Sequence, residues 1–242
     1  MLTLRELNLF PDLAGLDGLP EGKLLINTVN AHSFVTAQKD AEFAAALRRS
    51  DVLLPDGISI VWACKFLKMK NAPREKIAGT DLFRHHMARL NEKGGTCMFM
   101  GSSPKVLALI REKAAAAYPR IHVETYSPPY KPVFSEEDDA SIRAAIHAAD
   151  PDLLWIGMTA PKQEKWLVRN WELLDIHCHA GTIGAVFDFF AGTINRAPAW
   201  WIDHGLEWLY RLLKEPGRMW RRNVISGPVF LWYAFLEKLR LR

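Results

Sequence analysis

Residues 53–62 read LLPDGISIVW, and this stretch decides how the rest of the chain is interpreted. An apolar run ends at Pro55, turns at Asp56 and Gly57, and resumes as a second apolar run. Proline presets its own φ, glycine supplies a positive φ, and an aspartate here caps a following helix. The stretch therefore predicts a buried strand, a turn and a helix, with Asp56 interpreted first as a turn residue.

The same alternation of strand and helix recurs along the chain. Short β-rich runs are separated by longer amphipathic segments, which is typical of a mostly parallel sheet with helices on both faces. We therefore predict an α/β, Rossmann-like fold. The predicted strands are 23–27, 52–54, 96–100, 122–126, 153–156 and 177–180. The predicted helices are 33–48, 58–66, 81–92, 104–118, 136–149, 162–174, 205–214 and a last one from 217 onward.

Polar residues and glycines collect at the carboxyl ends of these strands. In a parallel sheet those ends share one edge, where ligands bind. Glycine lets backbone N–H groups approach a ligand, and a helix that begins there attracts phosphate. Five segments, 28–30, 55–57, 101–103, 157–163 and 181–184, are therefore predicted to line one site. This placement raises Asp56 from a turn residue to a site candidate.

The neighbours of Asp56 at this edge also have structural interpretations. Thr28 and Asn30 suit the cap of the next helix. Gly101 belongs to a turn as readily as to a phosphate cradle. Gln163 is either a solvated first-turn residue or an amide for a uracil or a sugar hydroxyl. Both interpretations of each residue stay open at this point.

The composition is that of a globular protein from a reduced compartment. Of 242 residues, 49% are hydrophobic and 24% are charged, so a sizeable core is expected. Cys64, Cys97 and Cys178 are far apart, which predicts free thiols and a cytoplasmic protein. The first residues lack the apolar core of a signal peptide. The longest apolar stretch, 224–236, is interrupted and shorter than the roughly 20 residues of a membrane span, so we expect it to lie on a surface.

Positive charge is concentrated near the end of the sequence. Residues 211–242 hold eight Lys and Arg and two acidic residues, a net +6, whereas the whole chain carries +4. Phe230, Trp232 and Phe235 lie among these cations, which favours an anionic membrane surface or a phosphate ligand. No nucleic-acid-binding motif is found, so nucleic acid is not a predicted partner. We therefore predict a Rossmann-like core, 1–196, and a helical basic and aromatic appendage, 197–242.

Signatures of other ligands are missing or misplaced. The G-x-G-x-x-G and Walker A patterns are absent. Asp150-Pro151-Asp152 matches the D-x-D of metal-dependent sugar transferases, but it precedes its strand and is interpreted as a turn at the opposite edge. His177 and His179 lack companion ligands, and His85 and His86 are predicted on a helix surface. We therefore predict no metal and no cofactor.

Six stretches spread along the chain from Asn27 to Arg222 read TVNAHSFVTAQKD, LLPDGISIVWA, IAGTDLF, GMTAPKQEKWL, GAVFDFFAGTINRAPAWW and GLEWLYRLLKEPGRMWRR. Together they resemble the WecG/TagA/CpsF family of glycosyltransferases. The resemblance implies a Rossmann-like, inverting transferase that moves a sugar from a UDP-sugar to a polyprenyl-diphosphate-linked sugar. Such enzymes make teichoic-acid linkage units, enterobacterial common antigen and exopolysaccharides. It also implies an appendage that meets the inner face of the cytoplasmic membrane.

The functional residues of the family carry over to matching positions of this chain. Asp56, in P-D-G, is the implied general base. The family has Arg directly before I-A-G, whereas this chain has Lys76 there and Arg74 two residues earlier. Lysine cannot reproduce the bidentate fork of arginine on a phosphate, so either Lys76 or Arg74 takes that role. The other implied substrate contacts are Thr28, Asn30, Gln163, Arg196, Arg211, Arg218 and Arg221.

Two further functions stay open on the sequence alone. The runner-up is a Rossmann-type nucleotide-binding protein whose basic tail binds a protein partner. A third interpretation is a catalytically silent module for the membrane surface. The sequence does not choose among N-acetylmannosamine, its uronic acid and glucose as the donor sugar, and it does not distinguish a monomer from a homo-oligomer.

Overall fold

Six short strands form one parallel sheet in the order β2-β1-β6-β5-β3-β4. A computed structural model describes residues 1–240, apart from the side chains of Ala199, Asp203 and Arg218. All six predicted strands are confirmed, with ends within two residues of those predicted, and so is the α/β, Rossmann-like class. The strands are β1 (Leu24–Val29), β2 (Val52–Pro55), β3 (Gly95–Gly101), β4 (Ile121–Tyr126), β5 (Leu153–Gly157) and β6 (His179–Thr182).

A helix follows each of the six strands, but the single helix predicted over 33–48 is wrong. The chain breaks there because the Asp40 side chain accepts the N–H of Phe43 (3.0 Å) and starts a second helix, while Gln38 hydrogen-bonds the backbone of Leu2. The helices are α1 (Ala31–Ala37), α2 (Ala41–Arg49), α3 (Ile58–Phe66), α4 (Gly79–Lys93), α5 (Pro104–Ala117), α6 (Glu136–Ala149), α7 (Lys162–Asn170), α8 (Val186–Ala191), α9 (Ala199–Asp203), α10 (Glu207–Lys214), α11 (Pro216–Met219) and α12 (Ser226–Leu239). A π-helical turn (Trp220–Ile225) joins α11 to α12.

Both faces of the sheet are covered by helices, as predicted. Successive residues of β5 point to opposite faces: Trp155 packs on Phe83 of α4, with ring centroids 5.7 Å apart, whereas Leu154 packs with residues of α6 and α7. All five residues of β5 are buried. Burial on both faces explains why the strands read as continuous apolar runs without alternation.

The strand order positions the site. β2 lies on one side of β1 and every later strand on the other, so the order reverses at β1. In such sheets ligands bind beyond the carboxyl ends of the strands at the reversal. The five polar and glycine-rich segments predicted from the sequence follow these ends and share this edge. Asp152 lies at the opposite edge, where its carboxylate accepts the N–H of Thr96 (2.7 Å), which confirms the turn interpretation.

The end of the described chain packs onto its beginning. Phe230 of α12 is fully buried, with its ring 5.4 Å from that of Phe34 in α1. The carboxylate of Glu237 accepts the N–H groups of Leu4 (2.9 Å) and Arg5 (3.2 Å). The prediction that Phe230 faces the membrane is therefore wrong, because this side chain fills the core between α12 and α1. None of the helices within residues 1–240 has the length and apolar character to cross a membrane.

The histidines of α4 and β6 differ from the sequence prediction. His86 is buried, not on the surface, and its Nε2 lies 2.9 Å from Nδ1 of His179. Burial, with a smaller contribution from the nearby His179, lowers the pKa of His86 to about 3, so the ring is neutral at physiological pH. The described part of the chain contains no group of three or more His, Cys, Asp or Glu arranged to hold a metal ion.

Candidate active site

Asp56 sits on the turn between β2 and α3 with its backbone fixed by the sheet. Its N–H donates to the carbonyl of Val29 at the end of β1 (2.9 Å). Gly57 has φ +145°, a backbone angle that residues other than glycine rarely adopt, and it occupies the N-cap position of α3. Within the described part of the chain, no side chain hydrogen-bonds to this helix as a cap. The turn interpretation is therefore correct for the backbone, but the Asp56 carboxylate is not used as a cap.

The carboxylate of Asp56 lies in a mixed electrostatic environment. Burial raises its pKa, and the negative charge of Glu207 on α10 raises it further. The positive charges of Arg222 and Arg211 act in the opposite direction. The C-terminal helices therefore bring charges of both signs to the turn after β2. A carboxylate with a raised pKa is a stronger base, which suits it to accept a proton.

Thr28 and Asn30 lie beside this turn at the end of β1. The side-chain oxygen of Asn30 accepts the N–H (3.0 Å) and the hydroxyl (3.2 Å) of Ser33, so Asn30 is the N-cap of α1. The capping interpretation is thus correct for Asn30, and the cap uses only its oxygen. The side-chain nitrogen is not part of that cap, and it carries two donors for a ligand. Thr28 is half-buried and pairs with Leu54 across the sheet.

Gln163 is buried in the first turn of α7, which contradicts the solvated interpretation. Its Oε1 accepts the N–H of Met158 (3.1 Å), and its Nε2 donates to Oε1 of Glu164 (2.9 Å). The amide also approaches Gly184, because a Cβ added there would lie 3.5 Å from Oε1. Gln163 therefore ties the loop after β5 to the loop after β6. Its predicted contact with substrate stays a prediction.

Glu164 is a residue of this edge that the sequence reasoning missed. Only 1% of its surface is exposed, and its Oε2 has no hydrogen-bond partner among the described residues. Burial raises its pKa to about 7, although the hydrogen bond from Gln163 and the charge of Arg222 act in the opposite direction. The only signal in the sequence was the carboxylate of the P-K-Q-E motif. If the first turn of this helix were exposed, that carboxylate would simply lie in water, so the sequence alone did not single it out.

Lys76, not Arg74, faces the C-terminal helices. Lys76 Nζ lies 3.4 Å from the carbonyl oxygen of Ile202 in α9. The guanidinium of Arg74 pairs with Asp12 at 2.9 Å, and the Arg74 side chain is 81% exposed. The structure therefore favours Lys76 for the cation that precedes I-A-G.

The remaining predicted cations belong to the C-terminal region. Arg196 Nε lies 3.4 Å from Glu207, with both side chains largely buried. The guanidinium of Arg211 lies over the ring of Phe189, 5.3 Å from its centroid. Arg221 is exposed on the π-helical turn, and the side chain of Arg218 lies outside the described residues.

Arg222 is a second residue that the sequence reasoning did not select. It is half-buried on the π-helical turn, and its charge acts on Asp56, on Glu164 and on His32. Its position depends on that turn, which shifts the helical phase that the sequence implies for Arg221 and its neighbours. The basic segment RMWRR does not reveal which of its arginines acts on the carboxylates of the site.

Gly101 has a structural requirement of its own. Its φ is +121°, and an added Cβ would collide with the carbonyl of Gly157 on the adjacent strand. The next residue, Ser102, donates its N–H to the same carbonyl (3.0 Å). The close approach of β3 and β5 therefore explains this glycine, while its predicted role at a phosphate stays a prediction.

Comparison with known proteins agrees with this arrangement. A model of the WecG/TagA/CpsF family of glycosyl transferases matches residues 16–242. A relative from Bacillus subtilis (strain 168), N-acetylglucosaminyldiphosphoundecaprenol N-acetyl-beta-D-mannosaminyltransferase, is 32% identical over 214 residues, which cover 88% of this chain and 80% of the relative. The chain therefore belongs to the WecG/TagA/CpsF family and is a glycosyltransferase.

Proposed function

We propose that this protein moves a sugar from a UDP-sugar to a polyprenyl-diphosphate-linked sugar, with inversion at the anomeric carbon. The name of the Bacillus relative describes transfer of N-acetylmannosamine to a lipid-diphosphate-linked N-acetylglucosamine. An N-acetylmannosamine-type donor is therefore the first choice, with its uronic acid and glucose as the alternatives. The observation that carries the proposal is the carboxylate of Asp56, which does not serve as a helix cap. It belongs to a turn that lies beside Asn30, and the C-terminal cations act on it.

Asp56 is the proposed general base of this transfer. The acceptor hydroxyl attacks the anomeric carbon on the face opposite the UDP, and Asp56 takes the hydroxyl proton. The new glycosidic C–O bond forms as the bond from the anomeric carbon to the phosphate oxygen breaks, and UDP departs with the bonding electrons. The negative charge that develops on the diphosphate is then met by fixed positive groups.

The C-terminal cations are the proposed partners of that diphosphate. Arg211 and Arg222 already act electrostatically on Asp56, so a diphosphate bound next to this carboxylate lies within their field. Lys76 contacts the same C-terminal region through the Ile202 carbonyl. Thr28, Asn30 and Gln163 are proposed to position the sugars, and Gly101, Arg196, Arg218 and Arg221 to contact substrate.

A donor and acceptor screen tests the function directly. Release of UDP is measured from UDP-N-acetylmannosamine, its uronic acid and UDP-glucose, with and without a short-chain polyprenyl-diphospho-N-acetylglucosamine. We expect release with one of these donors, dependent on the acceptor, together with a disaccharide-lipid product of inverted configuration. Absence of acceptor-dependent release from every UDP-sugar would contradict the proposal.

We predict that transfer needs no divalent metal. The only D-x-D motif lies at the edge of the sheet opposite to Asp56, and arginines with helix N-termini can balance the charge of the leaving UDP. Purified protein, chelated and assayed in excess EDTA, is expected to keep its full rate. A lost rate that Mg²⁺ or Mn²⁺ restores would contradict this prediction.

The exposed side of α12 is proposed to rest on the cytoplasmic membrane. Leu231, Trp232 and Phe235 are exposed there, and Lys238 and Arg240 supply positive charge for anionic headgroups. This surface would bring the site to a lipid-linked acceptor.

Trp232→Glu tests this surface with little risk to the fold, because the side chain is 57% exposed. We expect binding to phosphatidylglycerol vesicles to weaken by about tenfold, since the loss of one buried aromatic anchor costs about 1.5–3 kcal/mol. Leu173→Glu, at an equally exposed apolar position after α7, is the control and should bind as the unmodified protein does. Equal binding of both variants would contradict a membrane contact through α12.

A further inference from the structure

His32 joins the first turn of α1 to the beginning of α12. Its Nδ1 lies 2.8 Å from Oγ of Ser226, which is buried. The Ser226 hydroxyl donates to the carbonyl oxygen of Arg221 (3.1 Å). A carbonyl oxygen can only accept, so the single hydroxyl proton of Ser226 goes to Arg221. The Ser226 oxygen must therefore accept from His32, whose Nδ1 carries a hydrogen and donates.

The surroundings keep His32 uncharged. Burial lowers its pKa, and the positive charges of Arg222 and Arg221 lower it further. A neutral imidazole can donate a hydrogen bond here without repelling those arginines, whereas Lys or Arg at this position would repel them. Donation through Nδ1 in the neutral state is therefore what this position requires.

The joint lies between the two halves of the proposed site. On one side, His32 follows the Asn30 cap, and the adjoining end of β1 holds the backbone of Asp56 through Val29. On the other side, Ser226 terminates the π-helical turn that carries Arg221 and Arg222. The same turn is fastened to α10, because the side chain of Asn223 donates to the Trp208 carbonyl (3.1 Å).

The attachment of α12 as a whole does not depend on this joint. Phe230 is buried against Phe34, and Glu237 caps the N-terminal backbone near the far end of the helix. The bond from His32 to Ser226 lies at the other end, next to the cations. The bond is therefore better placed to set the register of the π-helical turn than to hold the helix.

We propose that His32 is a positioning residue for the transfer: by donating to Ser226 it holds the turn bearing Arg221 and Arg222 in register with Asp56. The proposal rests on the function proposed above. It assigns no contact with substrate to His32, which acts through the cations that it places.

His32→Ala and Ser226→Ala, singly and together, test the joint in the full-length protein. Each single variant is expected to lower kcat about tenfold with little change in KM for the donor, since small misplacements of catalytic groups carry costs of this order or more. The double variant should lose no more than either single one, because both remove the same bond. His32→Asn, which retains a side-chain N–H donor near the Nδ1 position, should recover most of the rate.

Two readouts separate positioning from general stability and from the choice of substrate. Hydrogen exchange of residues 220–226 should accelerate in His32→Ala whether or not the substrate is correctly identified. Glu237→Gln, which weakens the distant attachment of α12, should lower the melting temperature without lowering kcat. If the unmodified protein transfers no sugar from any UDP-sugar, the proposed function fails. If it does, then unchanged kcat or unchanged exchange in His32→Ala, or additive losses in the double variant, overturns the role of His32 alone.

Discussion

Replacement of Asp56 by Asn is expected to lower kcat by at least about 10²-fold, the low end of the contribution of a general base. Asparagine has almost the same shape, and the backbone of residue 56 is held by the carbonyl of Val29, so the turn should persist. The amide cannot accept the proton of the acceptor hydroxyl. Binding of UDP, measured by calorimetry, should be retained, and near-normal turnover would contradict the assignment.

Asp51→Asn is a matched control for this experiment. Asp51 lies at the opposite end of β2, where its carboxylate accepts the N–H of Leu25 (2.8 Å), and the asparagine oxygen can accept the same bond. Its turnover should match that of the unmodified protein. The same loss in both variants would point to damage to β2 and not to missing chemistry.

The pH profile provides an independent check on Asp56. A base must be deprotonated, so kcat/KM should fall as the pH drops through the pKa of Asp56. The negative charge of Glu207 raises that pKa, so Glu207→Gln should move the acidic limb to lower pH. A limb that stays in place would mean that another group controls it.

The apolar runs of the sequence were enough to predict the sheet and the shared edge. Strands buried on both faces need continuous hydrophobic residues, and parallel strands place their carboxyl ends together. Asp56 could be located for this reason before the structure was known. The apolar runs could not reveal that Gly57, and not Asp56, occupies the N-cap position of α3, so that the Asp56 carboxylate is not used as a cap.

The features that the sequence did not predict depend on tertiary contacts. Phe230 is buried because α12 returns to α1, a contact between residues almost 200 positions apart. His86 is buried because β6 places His179 against it. The charge of Arg222 acts on Asp56 from a π-helical turn, whose phase differs from that of the α-helix that the sequence predicts. Local periodicity carries no information about any of these three arrangements.

Glu164→Gln is expected to stabilise the protein at alkaline pH. The pKa of Glu164 is about 7 in the folded chain, raised from 4.5 by burial. The folded state therefore binds more protons than the unfolded state between pH 4.5 and 7, and the free energy of unfolding falls as the pH rises through this window. Above pH 7 the folded protein bears the full cost of burying the ionised carboxylate, which is about 3 kcal/mol for a pKa shift of this size.

Glutamine removes the titrating group but keeps its local contact, because its side-chain oxygen can still accept from Nε2 of Gln163. Urea unfolding at pH 8 should show a gain approaching 3 kcal/mol over the unmodified protein, whereas the gain near pH 4.5 should be small. Glu137→Gln, at an exposed position of α6, controls for the change in net charge and should show no such dependence on pH. A Glu164→Gln protein that is less stable at pH 8 would mean that the ionised carboxylate is stabilised by a cation such as Arg222, and that this buried charge holds the C-terminal helices to the sheet.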